Sequence, residues 1–181
     1  GANTTGTKNT AVGANALDAN TTSDRNTAFG YNCLTNNTST ENAAFGSHAM
    51  EGNTTGNNNA SFGDMSMYTS TTGDNNTAFG YATLHLNTTA SNNTAVGASA
   101  LLANTTGTRN VAVGAFALDA NTTADSSTGI GYGALSANTT GSSNTAFGSY
   151  AMAANTTGSD NAGFGYAALN LNTTGDQNTA V

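Results

Sequence analysis

Ten asparagines in this chain stand directly before Thr-Thr or Thr-Ser: Asn3, Asn20, Asn37, Asn53, Asn87, Asn104, Asn121, Asn138, Asn155 and Asn172. Each is an Asn-x-Ser/Thr acceptor for an N-linked sugar, a modification that needs an exposed carboxamide on a surface turn. The same residues support a second chemistry. Asparagines stacked at a fixed period can hydrogen-bond to one another in a ladder, while the threonine hydroxyls close the turn. Both readings stay open on the sequence. The remaining reactive side chains form no constellation. His48 and His85 sit in different columns with no carboxylate or cysteine in register, so no metal site is expected. The acids Asp18, Asp24, Asp74, Asp119, Asp125, Asp160 and Asp176 are scattered over turn and flank positions. Ser, His and Asp occur without the arrangement of a triad, so neither an enzyme nor a cofactor is expected. Cys33 is the single cysteine and replaces an alanine, which reads as a small buried apolar residue.

The spacing of the asparagines comes from a repeat. The unit is Asn93-Thr94-Ala95-Val96-Gly97-Ala98-Ser99-Ala100-Leu101-Leu102-Ala103-Asn104-Thr105-Thr106-Gly107-Thr108-Arg109, seventeen residues long. Its fifth-position glycine recurs at Gly13, Gly30, Gly46, Gly63, Gly80, Gly97, Gly114, Gly131, Gly148 and Gly165, always seventeen apart except for sixteen between Gly30 and Gly46. A short period held this long is the mark of a solenoid. The fourth position is apolar throughout: Val12, Phe29, Phe45, Phe62, Phe79, Val96, Val113, Ile130, Phe147 and Phe164. So is the ninth: Leu17, Leu34, Met50, Met67, Leu84, Leu101, Leu118, Leu135, Met152 and Leu169. Both columns are expected to point into a thin core, with the third and eighth positions small. The tyrosines Tyr31, Tyr81, Tyr132 and Tyr166 share the sixth position, where partial burial beside that core is expected.

Seventeen residues with an invariant glycine and an Asn-Thr-Thr turn leave no room for a helical hairpin. Two short β-segments per unit fit instead, so the predicted fold is all-β: a parallel β-solenoid with one coil per repeat. Residues 1–181 read as one repeat array that begins and ends in mid-repeat, a window on a longer fibre or a subunit stacked end to end. The shortened unit, Asn26 to Glu41, is expected to lose its residue in the turn near Thr40.

Leu, Ile, Val and Phe number only 23 of 181 residues, so stacked order rather than one large core must hold the chain. The net charge of −7, with Lys8, Arg25 and Arg109 as the only cations, argues against nucleic acid. It also gives no cationic face for a membrane surface, and no apolar run approaches a span. Two apolar side chains per coil are a slender core, so burial between copies of the chain is expected.

The Asn-Thr-Ala-Val-Gly motif followed by Ala-Leu resembles two repeat families over the whole chain. One is the head domain of YadA-type trimeric autotransporter adhesins. The other is the Asn-Thr-Ala-Val-Gly-x-x-Ala-Leu repeat of phage tail-fibre-like and bacterial surface-fibre proteins. The resemblance implies a left-handed β-roll, three chains side by side, and an adhesive or structural role outside the cell or on a virion surface. This unit is longer than that of the adhesin head by the added Asn-Thr-Thr-Gly. The function expected is a structural component of an extracellular filament or adhesive fibre that self-associates, with covalent glycans or cell-surface carbohydrate as further partners. The alternative is a module that binds an ordered surface, ice or polysaccharide, through the threonine column Thr10, Thr27, Thr77, Thr94 and Thr145.

Overall fold

The computed structural model describes residues 3–181, which contain eleven short strands and no helix. These are β1 (Thr10–Val12), β2 (Thr27–Phe29), β3 (Ala43–Phe45), β4 (Ala60–Phe62), β5 (Thr77–Phe79), β6 (Thr94–Val96), β7 (Val111–Val113), β8 (Thr128–Ile130), β9 (Thr145–Phe147), β10 (Ala162–Phe164) and β11 (Thr179–Ala180). They form one parallel sheet in sequence order, each strand paired with the next. The chain is therefore a β-solenoid with one coil per repeat, rising by roughly the 4.8 Å of paired strands.

Equal repeat positions lie above one another. Thr77, Ala78 and Phe79 pair with Thr94, Ala95 and Val96. The short unit keeps this register: Thr27, Ala28 and Phe29 pair with Ala43, Ala44 and Phe45. Its missing residue falls between Thr38, whose hydroxyl bonds the Thr54 carbonyl, and Ser39, whose carbonyl accepts Asn37 Nδ2 at 2.9 Å. The deletion thus sits in the turn beside Thr40, as its position in the sequence suggests.

The turns demand unusual backbone. The fifth-position glycines have φ between 122° and 149°. A Cβ on Gly97 would stand 2.6 Å from the carbonyl carbon of Gly114 in the next coil. Both facts reserve this column for glycine. The ninth-position leucines and methionines are also left-handed, with φ of 51° to 55°. That conformation is unfavourable for a side chain with a Cβ. It persists because these residues fill the interior: Leu34, Met50, Leu84, Leu101, Leu118, Leu135 and Met152 are completely buried.

The other expected core column lies outside. Val12, Phe29, Phe79, Val96, Phe147 and Phe164 are exposed, and Phe45, Phe62, Val113 and Ile130 are only partly covered. From β2 to β10 the inward residue is the third-position one, such as Ala28, Ala44, Ala78, Ala95, Ala112 or Ala146. Side chains alternate along a strand, so an inward third position turns the second and fourth outward. The interior leaves no choice. At Gly163 even a single Cβ would approach Met152 Cγ to 3.1 Å, and a phenyl ring has no space there. The core is therefore a Leu/Met column, two alanine columns and a polar half.

Among the described residues the ladder of that polar half is broken at two places, at Asn20 Oδ1 beside the shortened unit and at Ser70, and the second identifies its role. The twelfth position is Asn except at Ser70, and there Asn53 Oδ1 and Ser70 Oγ are buried with no hydrogen-bond partner. Restoring the amide by Ser70→Asn should satisfy Asn53 and stabilise the chain by about 1 kcal/mol. Thermal unfolding of the variant checks this; an unchanged or lower Tm would count against the ladder as a source of stability.

Candidate interaction surface

The asparagines that read as sugar acceptors are interior. Asn20, Asn37, Asn53, Asn87, Asn104, Asn121, Asn138 and Asn155 are buried, while Asn172 is half-buried and Asn3 exposed at the outer coils. Asn104 Nδ2 donates to Asn87 Oδ1 at 3.0 Å and to the Gly107 carbonyl at 3.0 Å. Its own Oδ1 accepts from Asn121 Nδ2 at 2.9 Å. The expectation of a sugar-bearing outer edge is thus corrected for the buried members. The turn curls inward because its carbonyls and the carboxamides satisfy each other inside the coil. A carboxamide tied by three hydrogen bonds is not presented to a transferase.

A second asparagine ladder went unread in the sequence. First-position residues such as Asn76, Asn93 and Asn110 are fully buried. Asn93 Oδ1 accepts the Asn110 backbone N–H at 2.9 Å, and Asn93 Nδ2 donates to the Gly107 carbonyl at 2.9 Å. The two ladders therefore converge on one carbonyl per coil. The available signal was that the first position is as constant as the twelfth. Threonine forms a third, outer ladder: Thr105 Oγ1 donates to the Thr122 carbonyl at 3.0 Å, and the same bond recurs from Thr88, Thr122 and Thr139.

With the asparagines inside, the surface that remains for recognition is the outer face of the sheet. Thr10, Thr27, Thr77, Thr94 and Thr145 lie on it, two residues from the Val/Phe column in each strand. The phenyl rings stack along the axis. Phe45 and Phe62 have centroids 4.6 Å apart and are 7° from parallel; Phe62 and Phe79 are 4.4 Å apart and 6° from parallel. Around the glycine bend, Tyr31, Tyr81, Tyr132 and Tyr166 are exposed, contrary to the expected partial burial. The same narrow interior that expels phenylalanine expels them. Tyr132 meets Tyr150 edge-on at 5.3 Å, and Tyr150 meets Tyr166 at 6.3 Å.

The histidines do not converge on a reactive centre. His48 Nδ1 contacts Glu51 Oε2 at 2.5 Å, a pairing within one turn that column alignment hides. His85 stacks on Tyr68 at 5.3 Å. No group of three potential metal ligands occurs among the described residues. Cys33 is buried, and desolvation pushes its thiol up to about 11, which suits a packing residue rather than a nucleophile. A depression lined by Asn9, Ala11, Ala16, Leu17 and Asn20 opens over the interior of the first coil. Among the described residues no helix is long and apolar enough to cross a membrane.

Two carboxylates are tuned by their surroundings. The Thr7 backbone N–H and then the Thr7 hydroxyl hold Asp24 below the usual carboxylate range. Asp119 is shifted upward by burial, and its Oδ1 has no partner.

No family model matches the chain, and no curated protein matches it significantly.

Two outcomes follow from these sites. Asn104→Ala removes two donated hydrogen bonds, orphans Asn87 Oδ1 and leaves Asn121 Nδ2 only its bond to the Ala124 carbonyl, so it should cost about 2–3 kcal/mol in urea unfolding. A loss below about 0.5 kcal/mol would mean that the ladder is ornamental. Asp119 has its folded pKa raised, so its charged form is unfavourable in the native state and becomes less so as pH falls through that value. Asp119→Asn should therefore raise Tm at pH 7. The gain should vanish below about pH 3.8, the ordinary carboxylate value, where Asp119 is itself neutral. A gain independent of pH would rule out this cause.

Proposed function

We propose that the chain is a structural component of an extracellular filament or adhesive surface fibre. One observation supports this most: each coil is held to the next by the same set of bonds. Backbone pairing, two buried asparagine ladders and an outer threonine ladder all run along a single axis. The Asn93–Asn110 and Asn87–Asn104 bonds and their equivalents give nearly every coil the same upper and lower surface, so length can grow without any new kind of contact. Such quasi-one-dimensional order suits a rod or spacer. The flat outer face is suited to lateral contact rather than to enclosing a substrate. Resemblance to surface-fibre repeats supports the extracellular setting.

A second reading has its own observation. Thr10, Thr27, Thr77, Thr94 and Thr145 share one exposed, regularly spaced face, the kind of array that could match ice or an ordered polysaccharide. Against it, Ala43, Ala60, Val111 and Ala162 interrupt the column. Exposed tyrosines beside the face would add stacking to a carbohydrate partner.

Negative-stain electron microscopy tests the first reading. Rods or filaments of uniform width are expected, with isolated chains about 50 Å long for ten coils at strand spacing. Particles that stay globular or never associate would overturn it. Thermal hysteresis at millimolar protein would instead favour the ordered-surface reading.

A further inference from the structure

The outer face of the sheet is free of charge and carries a continuous apolar column of valine, isoleucine and phenylalanine beside a column made mostly of threonine. Phe29 is 53% exposed, Phe147 49%, Val12 45% and Phe164 42%, all in one column. Soluble proteins seldom leave an apolar strip of this extent without a partner. The charged residues avoid it. Of the thirteen, only Asp64 falls between the second and ninth positions of any repeat; the others occupy the tenth, sixteenth and seventeenth. The face thus has two unlike borders. The border beside the second position is approached by the charged residues of positions sixteen and seventeen. The border beside the fourth leads into the glycine bend and the sixth position, whose single charge is Asp64.

We propose that this face is the pairing surface for a second copy of the chain, the two rods lying parallel and in axial register about a two-fold axis along their length. The inference rests on the fibre reading and names the lateral partner that reading requires. Three observations select this partner and orientation. The first is period. The ridge of the face repeats once per coil, and a second coil array of the same rise is the surface that stays in step along all of it. The second is size. A two-fold along the rod sets the fourth position of one copy against the second position of the other. Every strand with alanine at the second position has phenylalanine at the fourth: Ala43 with Phe45, Ala60 with Phe62, Ala162 with Phe164. The one strand with valine at the second position, Val111, has the smaller Val113 at the fourth. In these four strands the largest residues therefore meet the smallest, and in the others threonine meets phenylalanine, valine or isoleucine. The third is charge. In this orientation the charged border of each copy meets the glycine border of the other, whose single charge is Asp64. An antiparallel pair would set the two predominantly acidic borders side by side in a chain of net charge −7.

The strip measures roughly 50 Å by 10 Å, about 500 Å² on each copy from strand spacing and the width of two outward residues. The pair then buries about 1,000 Å², the lower bound for a specific interface, so association in the micromolar range is expected rather than a permanent dimer.

Sedimentation equilibrium of the 181-residue chain should show a reversible dimer. Phe29→Lys with Phe79→Lys, both at exposed positions, should weaken it at least tenfold while leaving the far-ultraviolet circular dichroism unchanged. Orientation is read by disulfide trapping, for which Cys33 is too buried to interfere. Chains carrying Thr145→Cys, mixed with chains carrying Phe147→Cys, should cross-link to each other faster than either does to itself. A monomer or a trimer overturns the proposal, as does association insensitive to the lysine pair. Cross-linking of Phe147→Cys with Phe45→Cys, its neighbour in an antiparallel pair, in place of Thr145→Cys overturns the parallel register. Should the lysine variant fail to fold, the trapping result decides alone. Monomeric chains that still build filaments would sink the pairing and spare the fibre reading. Register-true pairs that never build filaments would do the reverse.

Discussion

The fold depends on burying carboxamides that bond to their own copies. A coil of seventeen residues encloses too little apolar volume to hold itself closed, since the interior has one sizeable hydrophobic side chain per turn. The asparagines of the first and twelfth positions fill the rest. Each satisfies a backbone group and a neighbouring asparagine at once, so the polar interior carries few unmet bonds. This choice sets the rest of the architecture. It fixes the rise, because the amide spacing must match the strand spacing. It fixes the narrow bore, which admits alanine but not phenylalanine opposite the leucines. It leaves the large apolar side chains nowhere to go but outward.

Much of this was legible in the sequence. The period, the stacking of equal positions, the glycine bend and the Leu/Met core column follow from spacing, and the one-residue deletion could be placed because the columns on either side stay in phase. Two features were not legible, for definable reasons. A strand of three residues is too short for alternation to show which face is inner, so Phe29 and Leu34 look alike as hydrophobes although one is half exposed and the other sealed. Asn-Thr-Thr-Gly has the composition of a solvated turn. Only the geometry shows that the Asn104 side chain points back into the coil while Thr105 and Thr106 remain outside. The His48–Glu51 contact was hidden for a simpler reason: it joins residues three apart within one coil, across columns rather than along them.

The interruptions of the pattern are informative because the pattern is so regular. Ser70 removes one amide, and two buried oxygens lose their partners. In the same coil Ser61 and Ser66 replace two alanines and bond to each other, Oγ to Oγ, at 2.6 Å. A polar substitution in this interior is thus tolerated when it comes with its own partner. The same logic explains Thr83, an interior hydroxyl that donates to the Gly97 carbonyl at 2.8 Å.

The direction of the ladders has a mechanical consequence. Every hydrogen bond between coils points along the rod, so tension on the two ends loads those bonds lengthwise and one coil at a time. Resistance does not sum across the stack. A stretched rod would yield by peeling a terminal coil while the rest stays intact. Each coil peeled exchanges about 5 Å of rod for roughly 58 Å of extended chain. A fibre made of such coils lengthens in steps under load and absorbs work at each one. It can wind back as the tension falls, because every coil left in place is a template for the next.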